Sequence, residues 1–149
     1  MPVIRHNMKY LKIHTLKKGW QDRDEIMLHA VFQILVDFVE QEKPDEIVDW
    51  NADDTHKRAW REICELYKWW KTKRPARKSP LDDKRLKVPP LKFEDIPGTD
   101  HQKMVVSDKK KYAAYYKALE KHWQQEKEWH EQDQQNLHRL IEIRLYLWT

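Results

Sequence analysis

IMLHAVFQILVDFV, residues 26–39, is apolar at every position except His29, Gln33 and Asp37. A helix that is apolar almost all round is covered by neighbours on most sides, so this stretch predicts a central helix around which the rest of the chain packs. Its limits follow from the flanks. Asp22 or Asp24 can cap the start, Asp24 and Glu25 suit the positive end of the helix dipole, and Pro44 stops it, which gives a helix over about 22–43. The three polar interruptions join Glu25 in a line repeating every four residues, which stacks them on a single face. The plain reading makes that line the narrow solvent-exposed edge of the helix. A histidine with carboxylates one turn away is also the residue set of a divalent-metal or acid–base site.

Two more helices show the same period. One covers about 54–73, started by Asp53, Asp54 or Thr55 and ended by Pro75, with Trp60, Ile63, Tyr67 and Trp70 as its apolar stripe. The last runs over about 108–148, with Ser107 or Asp108 as cap and neither Pro nor Gly inside it. Tyr112, Tyr116, Leu119 and Trp123 form its first stripe; Leu137, Leu140, Ile141, Leu145 and Trp148 form its last. Between them, Gln124 to Asn136 holds Trp129 as its only large apolar residue, so the helix is expected to be long or kinked, broken there or crossing open solvent.

Met8 to Leu16 is rich in strand formers and reads as a short strand-like segment, pairing with Met104 to Val106. Residues 75–106 carry Pro75, Pro80, Pro89, Pro90 and Pro97, which excludes a helix and predicts an extended segment that wraps the helices. The expected architecture is therefore a mainly α, single domain over 1–149, three-helix bundle-like, with that strand-like segment and Pro-rich wrap.

Charge is divided along the chain. Residues 20–50 hold nine acids and two bases, whereas residues 71–92 hold nine bases and two acids. Clustered Lys and Arg with Trp69 and Trp70 beside them is what phosphate neutralisation and base stacking require. The competing reading is that the basic run lies over the chain's own acidic helix, or is a solvated loop. If it faces outward, Arg74, Arg77, Lys78, Lys84 and Arg85 are the expected contacts, and the partner is nucleic acid, a phosphorylated nucleotide or an acidic protein surface.

Composition removes several classes. Gly19 and Gly98 are the only glycines, which excludes the Gly-rich phosphate cradles of nucleotide-binding folds. Cys64 is the only cysteine, so a disulfide framework and Cys-cluster zinc sites are excluded; it reads as a structural, partly buried residue in a reducing compartment. The N-terminus lacks a continuous apolar core of the signal type, and no stretch approaches the roughly 18 apolar residues of a membrane span. A soluble intracellular protein with no membrane partner is expected.

Other constellations point less far. His122, Glu126, His130 and Asp133 fall at helical spacing, and the stripe from Tyr112 onward leads through Glu126, His130 and Asp133, which would turn three ionisable groups inward. With Glu25 and His29 they would resemble a helical-bundle metal site, and Glu25, His29, Glu126 and His130 are the residues of a metal-dependent enzyme alternative. Their spacing is not the Glu-x-x-His of di-iron bundles. The carboxylate pattern of the all-helical nucleotide pyrophosphohydrolases also fails, because Glu46 and Asp49 precede Glu62 and Glu65 in reversed order. Ser79 and Ser107 lack a hydrolase-type turn. Among the tryptophans, Trp60, Trp70 and Trp123 are expected in the core; Trp20, Trp50, Trp69 and Trp129 fit their patterns less well, and one or two of them read as exposed anchors for a partner.

GWQDRDEIMLHAVFQILVDFVEQE (residues 19–42) and LHRLIEIRLYLWT (residues 137–149) resemble small proteins without an assigned activity that are encoded by tailed bacteriophages. The resemblance implies a phage origin, action in the host cytoplasm, and a non-enzymatic accessory role in binding a host or defence component. No catalytic motif or cofactor comes with it. A homo-oligomeric structural phage protein is the third reading.

Overall fold

The computed structural model describes residues 11–148, and the chain is mainly helical with a small two-stranded antiparallel sheet. The element order is α1 (Arg23–Gln41), α2 (Pro44–Ile47), α3 (Asp54–Lys68), a π-helical turn (Trp69–Lys73), a 3-10 turn (Pro80–Asp82), β1 (Lys92–Asp95), β2 (Gln102–Val105), α4 (Ala113–Glu142) and a closing 3-10 turn (Arg144–Tyr146). The described residues group into two compact units, one drawn from Met1–Ala76 with Gln132–Thr149, the other from Arg77–Glu131. Helix α4 belongs to both. Among the described residues, no helix is long and apolar enough to cross a membrane.

In the first unit, α1 supplies the centre of the core. Leu28, Phe32, Leu35, Val36 and Phe38 are buried and meet Ile63, Leu66, Trp69 and Trp70 from α3 and its π turn, with Leu137, Leu140 and Ile143 from the end of the chain. The expected central helix is therefore present, but its polar edge is reversed. His29, Gln33 and Asp37 are buried, whereas Ile26, Met27 and Ile34 are exposed. The cause is the irregular segment ahead of the helix. The His14 backbone N–H donates to Gln33 Oε1 and Thr15 Oγ1 lies 2.6 Å from His29 Nδ1. Gln33 Nε2 and Gln41 Nε2 both donate to Asp37 Oδ1, at 2.8 and 3.2 Å. A polar line that finds partners along its whole length is compatible with burial.

That segment also corrects the expected N-terminal strand. Residues 11–16 form no strand, residues 8–10 lie outside the described part of the chain, and Met104 pairs with Phe93 instead. The Pro-rich region is likewise not simply extended, since β1 and β2 fold it into a hairpin. Pro97 and Gly98 occupy the centre of its turn, with Gly98 at φ +79° and the Thr99 N–H donating to the Ile96 carbonyl. Positive φ at that place is what glycine supplies at no steric cost.

Helix α3 begins where Asp53 accepts from the His56 N–H at 2.8 Å and from the Thr55 hydroxyl at 2.6 Å. Its last turn widens to the i→i+5 pattern, and the Arg74 N–H donates to the Trp69 carbonyl. Trp69 and Trp70 are both buried there, and Trp70 stacks on Phe32 at 4.5 Å between ring centroids. Trp50 is buried as well, donating from Nε1 to the Pro44 carbonyl and stacking on the half-buried Trp60. Trp50 and Trp69 are thus core residues rather than anchors. Trp123, expected in the core, is 61% exposed, and Trp20 is fully presented to solvent. Cys64 is exposed rather than partly buried.

Helix α4 runs unbroken through the polar stretch, where either a break or a passage through open solvent was expected. The helix spans Ala113–Glu142 rather than the expected 108–148; near its end Leu137 and Leu140 are buried and Ile141 is exposed, and past it the chain buries Ile143 and leaves Leu145 and Trp148 exposed. Arg139 fixes this end against α3. Its Nε and Nη2 donate to both Glu62 oxygens at 2.6 and 2.9 Å, and Nη2 donates to Glu65 at 2.7 Å. The paired guanidinium holds the Glu62 carboxyl below its usual range.

Candidate functional site

The basic run divides at Ala76 into members held in the first unit and members carried by the second. Lys71, from the π turn, pairs with Glu40 of α1 at 2.9 Å, and the Tyr67 hydroxyl donates to the same carboxylate at 2.7 Å. Arg74 is engaged more deeply. Its Nε and Nη2 donate to the two Asp133 oxygens at 3.2 and 3.1 Å, Nη2 lies 3.5 Å from Glu25 Oε2, and the guanidinium covers the Trp70 ring at 4.9 Å. Here the run is matched by the chain's own acids. Arg74 is therefore withdrawn from the expected ligand contacts, since presenting it would take its guanidinium away from the buried Asp133 carboxylate.

His29 sits at the edge of this cluster. Its Nε2 lies 3.4 Å from Glu25 Oε2 and 3.5 Å from Arg74 Nη1, and its ring meets Trp70 edge-on at 4.8 Å. The Nε2–H tautomer lets the ring face Glu25 while its Nδ1 accepts from Thr15. Burial lowers the His29 pKa below 6.5, and the adjacent Arg74 charge lowers it further, outweighing the opposite pull of Glu25 and Asp133. The neutral imidazole is thus the folded form.

This geometry corrects the metal alternative. A guanidinium stands beside Glu25 and His29 where a metal cation would have to be, and Glu126 and His130 are exposed on the other unit's part of α4. Among the described residues, no group of three or more His, Cys, Asp or Glu side chains is placed to hold a metal ion. Of Glu126, His130 and Asp133, only Asp133 is buried. The covered positions of α4 follow the adjacent line Ala118, His122, Gln125, Trp129 and Asp133 instead, which leaves Glu126 and His130 exposed.

In the second unit, Arg77 donates to the Trp129 carbonyl at 3.4 Å and lies over its ring at 5.6 Å. Ser79 then caps the 3-10 turn: its hydroxyl accepts from the Leu81 N–H, and its N–H donates to Asp82. The same hydroxyl lies 2.8 Å from His122 Nδ1, which seats the turn on α4. His122 Nε2 is 3.9 Å from Glu126 Oε1, beyond hydrogen-bonding reach, and Ser79 Oγ is already committed as a cap. The Ser79–His122 contact is a docking contact. Sequence reading missed it because 43 residues separate the pair.

The remaining bases face solvent. Arg85 is exposed and paired with its neighbour Asp83 through two bonds of 2.9 Å, which depress the Asp83 carboxyl to about 2. Lys78, Lys84 and Lys87 are exposed and have no ion-pairing carboxylate among the described residues. Val88 and Leu91, both well exposed, lie in the same segment. The surface offered is thus a mixed one of unmatched ammonium groups and aliphatic side chains.

No family model, curated protein or solved structure matches the chain.

Proposed function

We propose that this is a non-enzymatic accessory protein of phage type, acting in the host cytoplasm, whose basic Pro-rich segment engages an acidic surface on a host or defence protein. The observation that carries the reading is the exposed, unmatched set Lys78, Lys84 and Lys87 with Val88 and Leu91 among them. Ammonium groups steer an acidic partner and set register, while exposed aliphatic groups bury area against it. A nucleic-acid partner is less well supported, since stacking needs open aromatic faces and Trp69 and Trp70 are buried.

The test is capture of host proteins over a salt series, compared with the triple variant Lys78→Glu, Lys84→Glu, Lys87→Glu. Binding that weakens with salt and is lost in the variant is the expected result. Binding unchanged by the three reversals rejects the segment as the contact. Retention of nucleic acid by the purified protein, with affinity falling steeply in salt and no protein partner, replaces this reading with nucleic-acid binding.

A further inference from the structure

The β1–β2 hairpin continues the exposed apolar surface from Leu91 onto its own strands. Its register places Phe93 opposite Met104, and strand alternation puts Leu91 and Val106, immediately outside the paired residues, on the same face. All four are exposed, Leu91 at 75% and Phe93 at 56%. On the other face Glu94 and Lys103 stand 3.8 Å apart, so the two faces differ in kind. A two-stranded hairpin is marginal in water by itself, and four large apolar side chains gathered on one face of it are the kind of surface that a partner covers.

The charges around that face say what the partner is. The turn end, residues 94–103, holds Asp95 and Asp100 besides the Glu94–Lys103 pair, and is net acidic. The open end is opposite in sign: residues 84–92 hold four bases and no acid, and Lys109, Lys110 and Lys111 follow β2. The Ser107 hydroxyl donates to the Pro90 carbonyl at 3.4 Å, which keeps these two basic flanks together. The hairpin is therefore a bar with an acidic tip, an apolar middle and a basic root. A surface of that pattern is complementary to itself when turned end for end, which is the condition for a two-fold interface.

We infer that the hairpin is a homodimerisation surface. A second copy of the chain packs antiparallel on the Leu91, Phe93, Met104 and Val106 face, each acidic tip lying against the partner's basic root. The small apolar area makes this a weak, reversible dimer. It shares Lys84, Lys87 and Leu91 with the proposed acidic-partner site, so the two are told apart by Phe93→Glu with Met104→Glu, which leaves every base of that site in place.

Sedimentation of the full chain over a concentration series tests it. The wild type should shift from monomer to dimer, and Phe93→Glu with Met104→Glu should raise the dissociation constant at least about tenfold. The tip variant (Asp95→Lys, Asp100→Lys) and the root variant (Lys92→Glu, Lys109→Glu, Lys110→Glu, Lys111→Glu), whose root becomes net acidic, should each fail to dimerise alone. Mixed in equal amounts they should form a heterodimer, since a basic tip then meets an acidic root and the reverse. Because every substituted side chain is exposed, circular dichroism should show unchanged helix. A wild type that stays monomeric into the millimolar range overturns the inference. So does a dimer indifferent to Phe93 and Met104, or a mixture of the two charge variants that remains monomeric.

Discussion

Arg74 has the most consequential surroundings of any residue in the basic run. A carboxylate as buried as that of Asp133 loses most of its hydration on folding, and the two-bond guanidinium contact helps to replace it. Arg74→Met should therefore destabilise the protein by roughly 1.5–3 kcal/mol in chemical denaturation, because it takes a two-bond cationic partner from a buried carboxylate. The double variant Arg74→Met, Asp133→Leu should cost less than the sum of the two single changes; strictly additive costs would show that the pair is not coupled. His29 provides the pH dependence at the same place. Its folded pKa lies below the unfolded value of 6.5, so the unfolded state binds more protons as pH falls through that region. Stability from this residue is complete above 6.5 and is lost on acidification. The melting temperature should drop between pH ~7 and ~5, and His29→Asn should flatten that drop. At lower pH, Glu40 and Glu62, whose carboxyls are depressed by Lys71 and Arg139 respectively, add a further loss in the same direction.

At the scale of elements, α1 shows how neighbours override pattern. Its burial follows the position of the chain that covers it, so apolar Met27 and Ile34 face solvent while polar Gln33 and Asp37 do not. Phe32→Ala, which removes a fully buried ring stacked on Trp70, should cost about 3–5 kcal/mol. Met27→Ala and Ile34→Ala should fall within about 0.5 kcal/mol of wild type, because those side chains bury little and alanine favours helix. If Ile34→Ala proved as costly as Phe32→Ala, the assignment of faces would be wrong. Asp53 makes the cap of α3 through two backbone-proximal bonds and a contact with the His56 ring, and Asp53→Ala should lower the melting temperature. The π turn that follows has its own role. It carries Trp69 and Trp70 into the core and, one residue past its end, places Arg74 against Asp133.

Across the molecule, the excess of positive charge is partitioned. Lys71 and Arg74 spend theirs on acids of α1 and on Asp133, whereas Lys78, Lys84 and Lys87 keep theirs for solvent. Reversing those three should leave the thermal melt within the range of ordinary surface substitutions, about 0.5 kcal/mol, while changing partner binding. A large loss of stability on reversal would show that the segment is part of the structure rather than an offered surface.

The apolar run at residues 26–39, the capping residues and the helix-breaking prolines were enough to read three main helices and the limits of the first two, though not those of α4. These are local properties, encoded by residues within a few positions of one another. The hairpin, the burial of His29 and Asp37 and the exposure of Trp123 were decided by the fold alone. In each case, partners distant in sequence determine which side of an element is covered. Arg74 and Asp133 are 59 residues apart, and no spacing rule connects them. Helical periodicity reports that a face exists; only the packed chain establishes what lies against it.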